Sequence, residues 1–340
     1  MKKFLKIFVF TILILLSLIC YPQPNIHTSD NINNTFNYSK NKTSQASENY
    51  KESIYNELLK STLNISFKQK TYNTHTIIEN IKNNNLNNKK SLKNNILAYT
   101  NNIKSKIGLV YYNFNTGEVL KINEDKVFLA ASTVKVPMNM VLFDMILEEK
   151  ININEKLQYN NSYYESGTGI LQNSDLSNPI NLQTLSDYSI LHSDNIATNM
   201  IMNRIGYQTM RDKMDKKLGY ETNHAGNYIT PNQAFKFLQD LYWNKNKNPY
   251  YPKLLDIMKN TDFHDRIDAD IPQEMVAHKI GNYADYVNDI GIVYTNSPYI
   301  LVVYTKDLKN ANETISEISK IIYSYQQVVL KNNGLTINSN

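Results

Sequence analysis

Hydrophobic and polar positions divide the chain into three stretches. Met1-Lys2-Lys3-Phe4-Leu5-Lys6 is followed by a mostly apolar run of 14 residues, Ile7 to Cys20. Lysines ahead of such a run match the charged and apolar regions of a secretory leader, and the run is shorter than the ~20 apolar residues of a membrane-spanning helix. Residues 22–90 are rich in Asn, Lys, Ser and Thr, as in Asn83-Asn84-Asn85-Leu86-Asn87-Asn88. Their apolar positions are too sparse for a core, so they read as a tether, with a short helix near Glu52–Leu63.

From Ser91 the pattern becomes globular. Leu92, Ile96, Leu97 and Ile103 fall at helical spacing over Ser91–Lys106. Ile107–Tyr112 and Glu118–Ile122 flank Asn115-Thr116-Gly117, which predicts a hairpin. Residues 134–260 read as helical; Gly206 and Gly219 stand where helices stop, and Thr230-Pro231-Asn232-Gln233 is a capping box with Pro at the first helical position. Met275–Lys279, Asp289–Thr295 and Tyr299–Thr305 read as strands, and Ala311–Leu330 as a closing helix with Ile315, Ile318, Ile321 and Ile322 inward. The order predicts an α/β fold: a mainly antiparallel sheet flanked by helices, with an inserted all-helical lobe. The expected organisation is a leader or anchor over 1–21, a tether over 22–90 and a catalytic domain over 91–332. A site between sheet and lobe is the default expectation.

Composition removes several classes. One Cys excludes a disulfide framework and multi-cysteine metal sites. The 340 residues include 50 Asn but three Arg, so the net charge of +5 reflects an Asn/Lys/Ile bias more than a polyanionic partner. No basic motif points to nucleic acid.

Three segments carry chemistry. In Ala130-Ala131-Ser132-Thr133-Val134-Lys135-Val136-Pro137, Ser132 is placed at a helix start, where free backbone N–H groups favour developing negative charge. Lys135 follows one turn later on the same face. A buried lysine of lowered pKa can take the proton of a serine hydroxyl; alone, however, this spacing is also that of a helix cap followed by a surface lysine. His192-Ser193-Asp194-Asn195 precedes a helix, and all three polar residues after His192 can cap it; a proton relay at Ser193 and an amide grip at Asn195 are the functional alternatives. Ala277-His278-Lys279-Ile280-Gly281-Asn282 ends a predicted strand, where Gly281 permits close approach of a ligand and Lys279 offers charge to a carboxylate, or guards an exposed edge.

Together the three segments resemble the penicillin-recognising serine hydrolases, specifically the class A β-lactamase-like family. Ser132 and Ser193 are 61 residues apart; Ser193 and Lys279 are 86 apart, a short interval for the family. The resemblance covers roughly Ser91 to Lys331 and includes Gly167-Thr168-Gly169-Ile170-Leu171. It implies a β-lactamase/transpeptidase-like sandwich and an acyl-enzyme mechanism. Ser132 would attack a lactam or peptide carbonyl, and the N–H groups of Ser132 and Asn282 would bind the oxyanion. Lys135 would assist deprotonation, Ser193 would protonate the leaving nitrogen, and Lys279 would hold a substrate carboxylate. No metal or organic cofactor is implied, and a monomer is expected.

Two departures bear on turnover. Ile280 stands where the family carries a hydroxyl, which removes a charge-assisted hydrogen bond to the carboxylate, about 1.5–3 kcal/mol. The stretch Leu218–Tyr228 is short where active members carry a water-activating glutamate. Its single acid, Glu221, is a candidate for that role that reads more simply as an exposed loop residue; Glu165 is another candidate. Three readings follow: a β-lactamase with weak deacylation, a hydrolase of cell-wall D-amino-acid peptides, or a module that is acylated by β-lactams, or binds the wall, without turnover. The leader implies work outside the cytoplasm, with the chain secreted, lipidated at Cys20 or held by an uncleaved anchor that associates with the membrane.

Overall fold

The computed structural model describes residues 75–79 and 89–332, which fall in one compact unit. The leader, the segment 21–74 and the helix expected near Glu52–Leu63 lie outside the described residues. Among the described residues no helix is long and apolar enough to cross a membrane.

Five antiparallel strands form the central sheet: β1 (Ile107–Asn113), β2 (Val119–Ile122), β7 (Val276–Tyr283), β8 (Tyr286–Val293) and β9 (Tyr299–Lys306), in the order β2-β1-β9-β8-β7; the short strands β3 (Phe128–Leu129) and β6 (Tyr228–Ile229), and β4 (Lys156–Leu157) and β5 (Ile180–Asn181), pair outside it. Both faces are covered, so the strands read as continuous apolar runs rather than as alternation with polar residues. Period-two geometry still sorts them. Ile107, Leu109 and Tyr111 of β1, with Tyr299, Leu301 and Val303 of β9, face one core; Val110 of β1, with Ile300, Val302 and Tyr304 of β9, faces the other.

The first core is closed by α1 (Lys89–Thr100), through Leu92 and Ile96, and by α8 (Ala311–Asn332), through Ile315, Ile318, Ile321 and Ile322. Each buried aliphatic side chain here contributes about 1.5–3 kcal/mol relative to exposure. Ile77 also packs against this core and Ile78 is buried, so the end of the expected tether contributes apolar surface to the fold. The first helix stops at Thr100, short of the expected Lys106, because Asn101-Asn102 are weak helix formers; a 3₁₀ turn, Lys104–Lys106, leads into β1.

The second core belongs to the helical lobe: α2 (Lys135–Leu147), α3 (Leu182–Leu191), α4 (Asn195–Ile205), α5 (Tyr207–Leu218), α6 (Pro231–Trp243) and α7 (Tyr251–Lys259). Gly206 and Gly219 end α4 and α5 as expected. At α6, Gln233 N donates to Thr230 Oγ1 at 3.2 Å and Thr230 N to Gln233 Oε1 at 2.9 Å, completing the capping box. The fold is therefore the antiparallel α/β sandwich with a helical lobe that the pattern predicts. One hairpin differs: β7 continues past Lys279 to Tyr283 and turns directly into β8 at Ala284-Asp285. Ala284 adopts φ +50° there, a conformation that a glycine or asparagine would have signalled and an alanine does not.

Candidate active site

The nucleophile candidate is set by a short two-stranded pairing. Strand β3 (Phe128–Leu129) pairs with β6 (Tyr228–Ile229), and the chain then enters a 3₁₀ turn, Ala131–Val134, continuous with α2. Ala131, immediately before Ser132, has φ +48°, and Ser193 has φ +51°. Two non-glycine residues in this region, at two segments that meet, are the kind of strain that folds retain at functional sites.

Ser132 is half-buried at the start of the helical run, and Lys135 lies one turn on, buried. Lys135 Nζ donates to Ser193 O at 2.6 Å, to Asn195 Oδ1 at 2.8 Å and to Ser193 Oγ at 3.3 Å. Lys279, wholly buried on the edge strand β7, donates to the same Ser193 Oγ at 2.9 Å and to Ile280 O at 3.1 Å. The two lysines therefore converge on one hydroxyl. Lys279 is neither the surface guard of an edge strand nor an exposed charge. Its Nζ also lies 5.5 Å from the centre of the Phe263 ring, a neighbour that the sequence did not single out.

Burial lowers the Lys135 pKa to about 8, against the opposing charges of Glu165 and Asp194. Burial, and then the charge of Lys135, hold Lys279 well below the usual lysine range, with Asp289 opposing. Two like charges this close in a dry site favour loss of one proton, and a neutral lysine is what a general base requires.

At Gly281, where the sequence suggests close approach of a ligand, the chain's own backbone packs instead. A Cβ there would lie 2.7 Å from Ala130 O and 3.0 Å from Ser132 N, so β7 passes against the nucleophile turn with no room for a side chain. Gly281 thus borders the Ser132 backbone nitrogen. Asn282 follows and is exposed; Ile280 is buried.

The Ser193 segment caps α4 and also faces the lysines. Asp194 is the cap: its Oδ1 accepts from Ala197 N at 2.9 Å and its Oδ2 from Leu171 N at 2.8 Å. Ser193 and Asn195 face the lysines. Asn195 also donates through Nδ2 to Ser166 O at 3.3 Å, so its amide bridges Lys135 to the segment 163–171. Asn199, one helical turn after Asn195, donates to Glu165 Oε2 at 3.0 Å; the four-residue interval on α4 was the signal for it. His192 turns aside to Asp262 at 2.6 Å.

The short loop after α5 is fastened elsewhere. Asp215 accepts from Thr222 N, Thr222 Oγ1 and His224 Nε2 at 3.1, 2.6 and 2.7 Å, and Arg211 donates to Asn223 O at 3.0 Å. Glu221 is exposed, with no hydrogen bond or ion pair among the described residues. The end of this loop reaches the nucleophile turn through Asn227, whose Nδ2 donates to Ala131 O at 3.1 Å and whose O accepts from Ala130 N at 2.8 Å.

Behind Lys279, His278 lies between Asp289 at 3.0 Å and Asp268 at 3.2 Å. His264, Asp268 and His278 hold their donor atoms within 4.8 Å of one another, a spacing that suits a metal. Burial works against the charge of His278, but Asp289 and Asp268 outweigh it and raise its pKa to about 10. These contacts form an ion network behind β7.

An antiparallel α/β sandwich with a helical lobe, a serine at a helix start, and a second serine shared by two buried lysines define a serine hydrolase of the β-lactamase type. The chain belongs to the beta-lactamase enzyme family (Beta-lactamase2), which it matches over residues 89–326. It is similar to beta-lactamase VEB-1 of Pseudomonas aeruginosa, 24% identical over 65% of this chain and 85% of that one. A beta-lactamase of Bacillus licheniformis is 25% identical over 69% and 84% of the two chains. Among solved structures, PBP-A superposes with a TM-score of 0.64 at 24% identity, covering 69% of this chain and 96% of that one. TLA-3 extended-spectrum beta-lactamase superposes with a TM-score of 0.64 at 22% identity, covering 71% and all of that chain. At these identities the structures speak for the fold alone.

Proposed function

We propose that the protein is acylated by β-lactams at Ser132 and hydrolyses the β-lactam amide, with deacylation slower than acylation. The observation that carries this reading is the convergence of Lys135 Nζ and Lys279 Nζ on Ser193 Oγ beside the Ser132 turn. Neutral Lys135 takes the Ser132 proton as Oγ attacks the carbonyl. The Ser132 N–H, with that of Asn282 on the adjoining edge of β7, stabilises the oxyanion. Ser193 delivers a proton to the departing nitrogen and is resupplied along its contacts with the two lysines. A mutant of the structural neighbour PBP-A has been captured as an acyl-enzyme complex with penicillin G, which supports β-lactams as the acylating class.

A chromogenic cephalosporin is expected to give a burst of about one product per enzyme and then slow turnover, the signature of an accumulating acyl-enzyme. Intact-mass and peptide analysis should place the adduct on Ser132, and Ser132→Ala should abolish it. An adduct on Ser193, or none, sinks the reading. Turnover without a burst at ordinary enzyme rates, above ~10 s⁻¹, refutes slow deacylation.

We further propose that the catalytic unit works outside the cytoplasm, delivered by the lysine-headed apolar segment Ile7–Cys20. Fractionation of the native host checks this; an intact, membrane-free chain in the cytoplasm would refute it.

A further inference from the structure

Successive side chains of β7 alternate between the faces of the sheet. Ala277 and Lys279 turn to the helical lobe, and Val276 and His278 to the core closed by α8. Gly291 of β8 stands opposite His278, where a Cβ would lie 2.8 Å from His278 Cβ, so the neighbouring strand leaves room for the imidazole. His278 Nδ1 lies 3.0 Å from Asp289 Oδ2, and that oxygen also accepts from Ile267 N at 3.0 Å. The ring is thereby fixed with Nε2 toward Asp268. Metal-ligating histidines are held in this way, with one ring nitrogen on a carboxylate and the other turned to the ion.

The turn 264–268 supplies the facing groups. Asp268 and His278 are each 1% exposed, and His278 Nε2 lies 3.2 Å from Asp268 Oδ2. Despite that distance, neither His278 Nε2 nor Asp268 Oδ1 has a hydrogen-bond partner among the described residues. Buried polar atoms are ordinarily satisfied, so two orphans in one cluster point to a ligand. His264 Nδ1 contacts the same Asp268 Oδ2, and its side chain is 36% exposed, which opens the cluster to solvent on one side. The turn is itself anchored: Arg266 Nη1 donates to Asn288 O at 2.8 Å, and Ser319 Oγ to Ile267 O at 2.7 Å.

We propose that His264, Asp268 and His278 form a binding site for a zinc-class dication, held by both imidazoles and the Asp268 carboxylate with water in the fourth position. Two nitrogens and a carboxylate oxygen suit Zn²⁺ and its neighbours; Ca²⁺ and Mg²⁺ take oxygen ligands. Zinc bonds of about 2.0–2.2 Å place tetrahedral ligands ~3.3 Å apart. The three donors already lie within 4.8 Å of one another, so small side-chain shifts close the site. Asp289 and Asp268 favour a proton on His278. The ion takes that proton's place at Nε2, the proton leaves to solvent, and the same two carboxylates offset the ion's charge. Because Lys279 points to the other face, the ion supports β7 and takes no part in acylation. It ties β7 to the turn that follows Phe263, whose ring centre is 5.5 Å from Lys279 Nζ.

The test uses the full-length chain, stripped of metal with a chelator, and ZnCl₂ or CoCl₂ as probes. Isothermal titration should give one Zn²⁺ per chain, and Co²⁺ should give the visible absorption of a tetrahedral site that Zn²⁺ then bleaches. Saturating Zn²⁺ should raise the melting temperature by about 5 °C. His264→Ala should weaken zinc binding about 100-fold, since even the outer partners of metal ligands are worth about 10–100-fold. If that variant does not fold, His264→Gln, which keeps a polar partner for Asp268, serves in its place. His192→Ala and His224→Ala, which break the His–Asp pairs elsewhere, should bind zinc as the native chain does. Failure of the native chain to bind zinc overturns the assignment. So does a loss below tenfold in the His264 variant, or a tenfold loss in either control. None of these outcomes touches the acyl-enzyme reading, on which the site does not rest.

Discussion

Two loops flank the helical lobe's side of the site, each with one glutamate, and they differ in what holds them. Residues 163–171 are bound to the start of α4 by Asn195, Asn199, Thr168 and the cap Asp194. Residues 219–227 are bound mainly to α5, by Asp215 and Arg211, and among the described residues hydrogen-bond to the nucleophile turn through Asn227. The position of a carboxylate relative to Lys135 is set by whether its loop is fastened to α4, whose Asn195 accepts from that lysine. Glu165 meets that condition, and Glu221 does not.

Matched glycines sharpen this comparison most. Gly169 adopts φ +113°, and a Cβ there would lie 2.4 Å from Asp194 Cγ and 2.5 Å from Asp194 Cα. Gly169→Ala combines left-handed strain with a backbone clash at the cap of α4. It should destabilise the protein by about 3 kcal/mol or more and remove penicillin labelling, as read from the urea midpoint and intact mass. A loss below about 1 kcal/mol would mean the 163–171 clamp is loose.

A pH series tests the electrostatic side of the same contrast. The base form of Lys135 is the neutral one, and its pKa is held at about 8. Acylation should therefore rise roughly tenfold from pH 7 to pH 9, because the neutral fraction grows as pH passes the pKa. Glu165 opposes the lowering, so Glu165→Gln should shift this midpoint to lower pH, whereas Glu221→Gln should leave it in place. An unshifted midpoint in Glu165→Gln would separate Glu165 from the site.

Gly226, at φ +88°, has only Tyr228 ring carbons near its missing Cβ, the nearest at 3.3 Å. Gly226→Ala should cost about 1 kcal/mol from backbone strain and leave acylation in place. Glu221→Gln is the smallest expected effect: acylation and decay should stay within about twofold of the native chain, a range that bulk screening of an exposed charge allows. A tenfold slower decay in Glu221→Gln would reverse the comparison.

Much of the architecture was legible because local signals were strong. Gly206 and Gly219 end helices, Thr230–Gln233 caps one, and Ile315, Ile318 and Ile322 mark a buried face, all by local spacing. The β7–β8 hairpin was not legible in full, since Ala284 takes a left-handed turn that its residue type does not announce. Ile77 and Ile78 were hidden in a polar tract, where two apolar residues are too few to register as a pattern.

For the site, the sequence by itself determined which groups are present and which share a helical turn: Ser132 with Lys135, and Asn195 with Asn199, because three- and four-residue intervals are local geometry. Tertiary structure alone decided that Lys135 and Lys279, 144 positions apart in the chain, meet at one hydroxyl, and that Asn195 spends its amide on Lys135 and Ser166. It also decided that Glu165 rather than Glu221 is hydrogen-bonded to α4, the helix whose Asn195 contacts Lys135. The physical reason is that pKa and reach depend on burial and on neighbours brought together by packing. Residue type and spacing along the chain carry no record of those distances.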